Sequence, residues 1–107
     1  IMLAVRGDHC LLGRGPGWPE GFMSALAGFV EPGESVEQAA ARELMEEAGI
    51  KADAASAEYL FCQPWPFPSS IMLGFQATAV SPALQLDEKE IAEAKWFTAR
   101  QRFRSKV

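Results

Sequence analysis

A mixed β-sheet covered by helices, in the α/β or α+β class, is what this sequence predicts, and two observations predict it. Short apolar runs occur both as an early hairpin and in series around one strong helix, a pattern that combines adjacent and crossover connections in one sheet. That helix, Val36 to Ala48, carries its own start and stop signals. With 107 residues, 49% hydrophobic and 22% charged, the chain suits a single globular domain spanning 1–107 around one core.

Ile1 to Val5 reads as a buried strand, Arg6-Gly7-Asp8 as a turn, and His9 to Leu12 as the returning strand. Gly13 to Gly21 is punctuated by Gly and Pro throughout and is a loop. A short apolar stretch, Ser24 to Ala27, ends at Gly28, and Glu31-Pro32-Gly33 turns the chain again. Ser35 then caps the helix with Gln38 three residues on, a capping box, and Gly49 stops it. The Ala-rich interior between them has high helix propensity. Beyond it, Tyr59 to Cys62, Ile71 to Val80, Leu84 to Leu86 and Lys95 to Phe97 are strand candidates, and a second helix is expected from Thr98.

Charge and cysteine content remove several function classes. A net charge of −4 and a pI near 4.9 do not suit bulk electrostatic binding of nucleic acid, yet they admit a small anionic ligand held through a cation. No apolar run reaches the length of a membrane span, so no membrane partner is expected. Cys10 and Cys62 form no C-x-x-C pair, which leaves no zinc site or disulfide framework to read and points to a reducing, cytoplasmic setting. The one histidine, His9, follows a turn and is a poor candidate for chemistry. The chain opens at Ile1, already inside a strand, and is expected to be a domain cut from a longer protein.

The informative chemistry lies on the helix. Its second half, Arg42 to Gly49, reads RELMEEAG. At about 3.6 residues per turn, Glu46 and Glu47 fall on the same side as Glu43. Like charges so spaced repel, and negative charge near a helix C-terminus opposes the macrodipole, each at about a few tenths of a kcal/mol. Only Arg42 is placed to offset them. Such a cluster is either a solvated acidic face or a seat for a hard divalent cation, Mg²⁺ or Mn²⁺, which takes oxygen ligands and bridges to phosphates.

From Gly28 to Ile50 the sequence GFVEPGESVEQAAARELMEEAGI has the spacing G-x5-E-x7-R-E-L-x-E-E-x-G-I. It resembles the Nudix box at Gly28, Glu34, Arg42, Glu43, Leu44, Glu46, Glu47, Gly49 and Ile50. The resemblance implies the Nudix fold, a mixed sheet sandwiched between α-helices, and metal-dependent hydrolysis of a nucleoside diphosphate linked to another group. It implies Glu43, Glu46, Glu47, Arg42 and Glu34 as the catalytic set. Glu43 and Glu47, with Glu46 beside them, would hold divalent ions that polarise the diphosphate and acidify an attacking water. Arg42 would orient the carboxylates and Glu34 would brace the loop, or the two would form an ion pair without direct chemistry. Gly28 would permit a tight backbone path.

Downstream, CQPWPFPSS (Cys62 to Ser70) resembles the S-Q-P-W-P-F-P-x-S signature of the NADH pyrophosphatase branch of that superfamily. It departs at Cys62, where the signature has serine; a thiol hydrogen-bonds more weakly. Pro64, Pro66 and Pro68 fix φ and hold Gln63, Trp65 and Phe67 extended, with little entropy left to lose on binding. A proline also removes a ladder hydrogen bond, so this run cannot be an ordinary central strand. The resemblance implies Gln63, Pro64, Trp65, Pro66, Phe67, Pro68, Ser69 and Ser70 as the substrate-binding segment, with rings stacked on nicotinamide or adenine. The other reading is a rigid loop whose aromatics plug the core.

Two further matches extend the resemblance over Leu3 to about Phe97. SALAG, Ser24 to Gly28, is similar to the family's approach to the box and implies the Ala27 carbonyl as a metal ligand. LDEKEIAEAKWF, Leu86 to Phe97, is similar to a ligand-bearing segment and implies Glu90, with Glu88 as a competitor. Such proteins form homodimers and carry an N-terminal region, a four-cysteine zinc ribbon and further C-terminal helix outside the stretch matched here. The expected function is hydrolysis of NADH or NAD⁺ to AMP and nicotinamide mononucleotide, with removal of NAD caps from RNA as an extension. The alternatives are a Nudix pyrophosphatase for ADP-ribose or a nucleoside triphosphate, and a non-catalytic Nudix-fold binding module. Intact Glu43, Glu46 and Glu47 argue against the module.

Overall fold

In the computed structural model, which describes residues 1–66 and 69–98, the early hairpin forms as its sequence requires. β1 (Met2–Arg6) and β2 (His9–Arg14) are joined through Gly7-Asp8, with Gly7 at φ 61°, a left-handed conformation glycine adopts at no steric cost. Along β1, buried Met2 and Ala4 alternate with more exposed neighbours, so one face of the strand meets the core.

α1 (Val36–Ala48) has the predicted bounds. Gln38 N–H donates to Ser35 Oγ at 3.1 Å, and Ser35 N–H donates to Gln38 Oε1 at 2.9 Å. Gly49, at φ 68°, ends the helix, its N–H reaching Met45 O at 3.0 Å. Ala40, Leu44 and Ala48, each four residues from the next, form the stripe that joins Met2, Ala4, Phe75 and Ala77 in the core.

β3 (Glu58–Trp65), β4 (Ser70–Thr78) and β5 (Glu93–Thr98) complete a mixed sheet of order β3-β4-β1-β2-β5. β1 and β4 run parallel, with Met2 beside Phe75 and Ala4 beside Ala77; the other pairs are antiparallel. Trp65 pairs with Ser70 and Arg14 with Glu93. The register therefore gathers the starts of β1, β4 and β5 and the ends of β2 and β3 at one end of the sheet. The Gly7 turn and His9 lie at the other.

Three expectations are revised. The strand read as Tyr59 to Cys62 continues through Trp65, with Pro64 opposite Ile71, because β3 is an edge strand and an edge tolerates proline. Leu84 to Leu86 is not a strand. Gln85 and Asp87 N–H groups donate to Ala48 O and Glu47 O at 2.8 and 2.9 Å, so this stretch closes the end of α1 instead of joining the sheet. The helix expected from Thr98 does not begin there, since Thr98 ends β5 paired with His9, and residues 99–107, which would continue it, lie outside the described residues. Among the described residues, no helix is long and apolar enough to cross a membrane.

Candidate active site

The three helix carboxylates differ sharply in exposure. Glu47 follows Leu44 by three residues and adjoins Ala48, so it stands at the margin of the apolar stripe and is 8% exposed. The side chain of Glu43 is mostly covered, whereas that of Glu46 is 58% exposed.

Arg42 links them to the preceding loop. Its Nη2 donates to Glu34 Oε1 at 2.7 Å and to Phe29 O at 2.9 Å, and its Nε donates to Glu34 Oε2 at 3.0 Å. Its Nη1 donates to Glu43 Oε1 at 2.8 Å and Glu46 Oε2 at 3.0 Å. Glu34 Oε1 also accepts from Glu31 N–H at 2.8 Å. Those contacts, Arg42's first and then Glu31's, hold the Glu34 carboxyl below the usual carboxylate range, and Glu34 pushes the Arg42 guanidinium further up. The two form an ion pair that also ties loop to helix, combining both roles the sequence left open. Gly28 is required by close approach: a Cβ there would run into the Glu43 carboxyl, while its φ is not positive.

Glu47 is the outlier. Its Oε2 is buried and has no hydrogen-bond partner among the described residues. Burial, and then the charges of Glu43 and Glu90, push its carboxyl up to about 7. Glu90 reaches it through the turn at 88–90. Asp87 N–H is anchored on Glu47 O, Lys89 N–H donates to Asp87 Oδ1 at 3.1 Å, and Glu90 N–H donates to Asp87 O at 3.0 Å. Glu90 lines the cleft described next; Glu88 does not.

Among the described residues, no three His, Cys, Asp or Glu side chains stand as a ready coordination set, since Glu43 and Glu46 are turned toward Arg42. The donors present still fit a hard cation. They are all oxygens, one is buried without a partner, and their mutual repulsion is what a cation would relieve.

A cleft of about 730 Å³ opens at the sheet end identified above. Ala27, Gly28, Glu47 and Glu90 line it, as do Trp65 and Ser70. Ala27 is brought there because Gly13 and Ser24 exchange backbone hydrogen bonds at 2.8 and 2.9 Å and Met2 N–H donates to Leu26 O at 2.7 Å. Trp65 is 47% exposed, so it does not plug the core. Gln63 shares the face of Trp65, one pleat along β3, but neither it nor Pro64, Pro66 or Ser69 lines the cleft. Phe67 and Pro68 lie outside the described residues. Cys62 is exposed and contacts the Tyr59 hydroxyl, whose pKa that contact raises. His9, 2.8 Å from Asp8 Oδ1, is at the far end of the sheet.

The sequence reading did not single out Trp18, Phe29 and Lys89, which also line the cleft. Phe29 follows the first residue of the box and is 87% exposed. Lys89 precedes Glu90 and lines the same cleft as Glu47 and Glu90.

A family model described as the NUDIX domain matches residues 1–105. Over 95 residues the chain is 50% identical to the NAD-capped RNA hydrolase NUDT12 of Homo sapiens, which covers 89% of this chain and 20% of that protein. Over 98 residues it is 51% identical to the NAD-capped RNA hydrolase NudC of Pseudomonas aeruginosa, covering 92% and 34%. The chain thus spans about a fifth to a third of the length of these curated relatives. Among solved structures it is similar to a NUDIX hydrolase from Nitrosomonas europaea, with a TM-score of 0.71 and 28% identity over 91% of this chain and 68% of that one.

Proposed function

The chain belongs to the NUDIX family, and from that premise we propose that it is the catalytic domain of a divalent-metal-dependent diphosphatase. It hydrolyses NADH or NAD⁺ to AMP and nicotinamide mononucleotide, and by the same chemistry removes NAD caps from RNA. The observation that carries this reading is the buried, unpartnered Glu47 Oε2 in the same cleft as Trp65. Names of relatives at about half identity agree with it.

Glu43, Glu47, Glu90 and the Ala27 carbonyl would hold Mg²⁺ or Mn²⁺. Such an ion, when bound, polarises phosphoryl oxygens and makes a water acidic enough to attack phosphorus. Arg42 fixes the direction of Glu43 and Glu46, and Glu34 fixes Arg42. Trp65 receives one ring of the substrate, and Ser70 beside it offers a hydroxyl. A homodimer and a reducing, cytoplasmic setting belong to the same proposal. They are supported by exposed Tyr59, Leu60 and Phe61 on the edge strand and by the free thiols of Cys10 and Cys62. Cys62 in place of the signature serine leaves open one second reading, a diphosphatase for ADP-ribose or a nucleoside triphosphate, against which the proline segment argues.

The test is a panel of NADH, NAD⁺, ADP-ribose and NAD-capped RNA offered to the longer protein with Mg²⁺, Mn²⁺ or EDTA. AMP should form from NADH with either metal and not in EDTA. Equal turnover in EDTA, or turnover of ADP-ribose without NADH, would overturn the proposal.

A further inference from the structure

The cleft carries a tryptophan that the diphosphate chemistry does not use. Trp18 lies in Gly15-Pro16-Gly17-Trp18-Pro19, on the loop that follows β2. It lines the cleft from the β2–β5 flank, while Trp65 lines it from the β3–β4 flank. β1 runs between those flanks.

The loop is built to hold the ring. A Cβ on Gly15 would stand 2.9 Å from Trp18 Nε1 and 3.0 Å from Cε2, so the indole rests on bare glycine backbone. Trp18 N–H donates to Gly15 O at 3.2 Å, and Arg14 Nη1 donates to Trp18 O at 3.2 Å. Arg14 is itself steadied by Glu93, 3.5 Å from its Nε. Pro19 restricts Trp18 to extended geometry, as Pro66 restricts Trp65. Two indoles therefore stand on opposite flanks of one cleft, with Glu47 and Glu90 among the residues lining it.

We infer that Trp18 is a second ring-binding residue, which with Trp65 brackets the diphosphate and selects substrates carrying a ring system on each arm. The inference rests on the diphosphatase reading above and deepens it. A cleft of about 730 Å³ is large enough for two rings, since pockets for drug-sized ligands span roughly 300–1,000 Å³. Stacking is tolerant of ring identity, which suits a site that must accept nicotinamide or adenine.

The experiment measures steady-state kinetics on the longer protein for Trp18→Ala, Trp18→Leu, Trp18→Phe, Trp65→Ala and the double Ala variant. NADH is the two-ring substrate; ADP-ribose, with the same diphosphate and one ring, is used as substrate or competitive inhibitor. Trp18→Ala and Trp18→Leu should raise KM for NADH about tenfold, with kcat within about twofold, and Trp18→Phe should restore most of it. For NADH the two Ala changes should multiply; for ADP-ribose the double variant should be no worse than the weaker-binding single variant. An unchanged KM for NADH in Trp18→Leu, or no rescue by Phe, overturns the inference while leaving the diphosphatase reading intact. Wild-type protein that does not turn over NADH overturns both.

Discussion

On α1, Arg42 holds Glu34, Glu43 and Glu46 through hydrogen bonds of 2.7 to 3.0 Å, and Glu47 is buried beside them. On β3, every residue from Glu58 to Trp65 is exposed, and order comes from Pro64 and from a ladder to β4 on one side only. The helix face is organised by charges that depend on one another, so removing one frees or strands the rest. The edge strand is organised by its own covalent stiffness and leaves its rings open to a ligand. Disturbing the first should therefore strike turnover, and disturbing the second should strike affinity.

The largest effect is expected at Glu47. Glu47→Gln keeps the volume and removes the charge, and turnover of NADH should fall by more than the about 10–100-fold that a supporting residue costs. Product chromatography measures this, with circular dichroism showing a folded domain; activity within tenfold of wild type would return Glu47 to a structural role. Arg42→Lys comes next, because an ammonium cannot reproduce the fork that reaches Glu34, Glu43 and Phe29 O together. A loss of about 10–100-fold in kcat is expected. An undiminished rate would show that Glu43 needs no orientation.

On the strand, Trp65→Ala should raise KM for NADH about tenfold, the size of one stacking contact, with kcat little changed. A pH effect sharpens the helix side. Folding holds the Glu47 carboxyl near pH 7, against 4.5 ordinarily, so the unfolded chain releases this proton first as pH rises. Without metal, the domain should lose stability from about pH 4.5 through about pH 7 and level off above, and Glu47→Gln should flatten that slope. Thermal melts in EDTA across the range would show it; a slope unaltered by the substitution would contradict it. The smallest change belongs to Cys62→Ser, which restores the signature serine at an exposed position and should shift KM by less than about threefold, a fraction of one hydrogen bond.

Much of the helix side was legible because its signals are local. Ser35, Gln38 and Gly49 set the helix bounds, and spacing alone put Glu43, Glu46 and Glu47 on one side. The burial of Glu47 is also written locally, since it lies three residues from Leu44 and so at the margin of the apolar stripe. What lay elsewhere depended on distant partners. Leu84 to Leu86 looked like a strand because nothing nearby shows that Gln85 and Asp87 donate to helix carbonyls. The prolines hid how far β3 extends, since only its edge position makes Pro64 acceptable. Trp18 and Lys89 come to line one cleft with Trp65 only after β1 pairs in parallel with β4, a contact of 73 residues' separation between Met2 and Phe75 that no local pattern announces.

The division of labour between helix and strand is tested most directly by resolving kcat from KM for NADH in Glu47→Gln and Trp65→Ala, side by side in one assay. The helix variant should lose kcat with KM changed by less than about threefold, and the strand variant should raise KM with kcat kept within about twofold. Loss of the same parameter in both variants would show that helix and strand do not divide the work in this way.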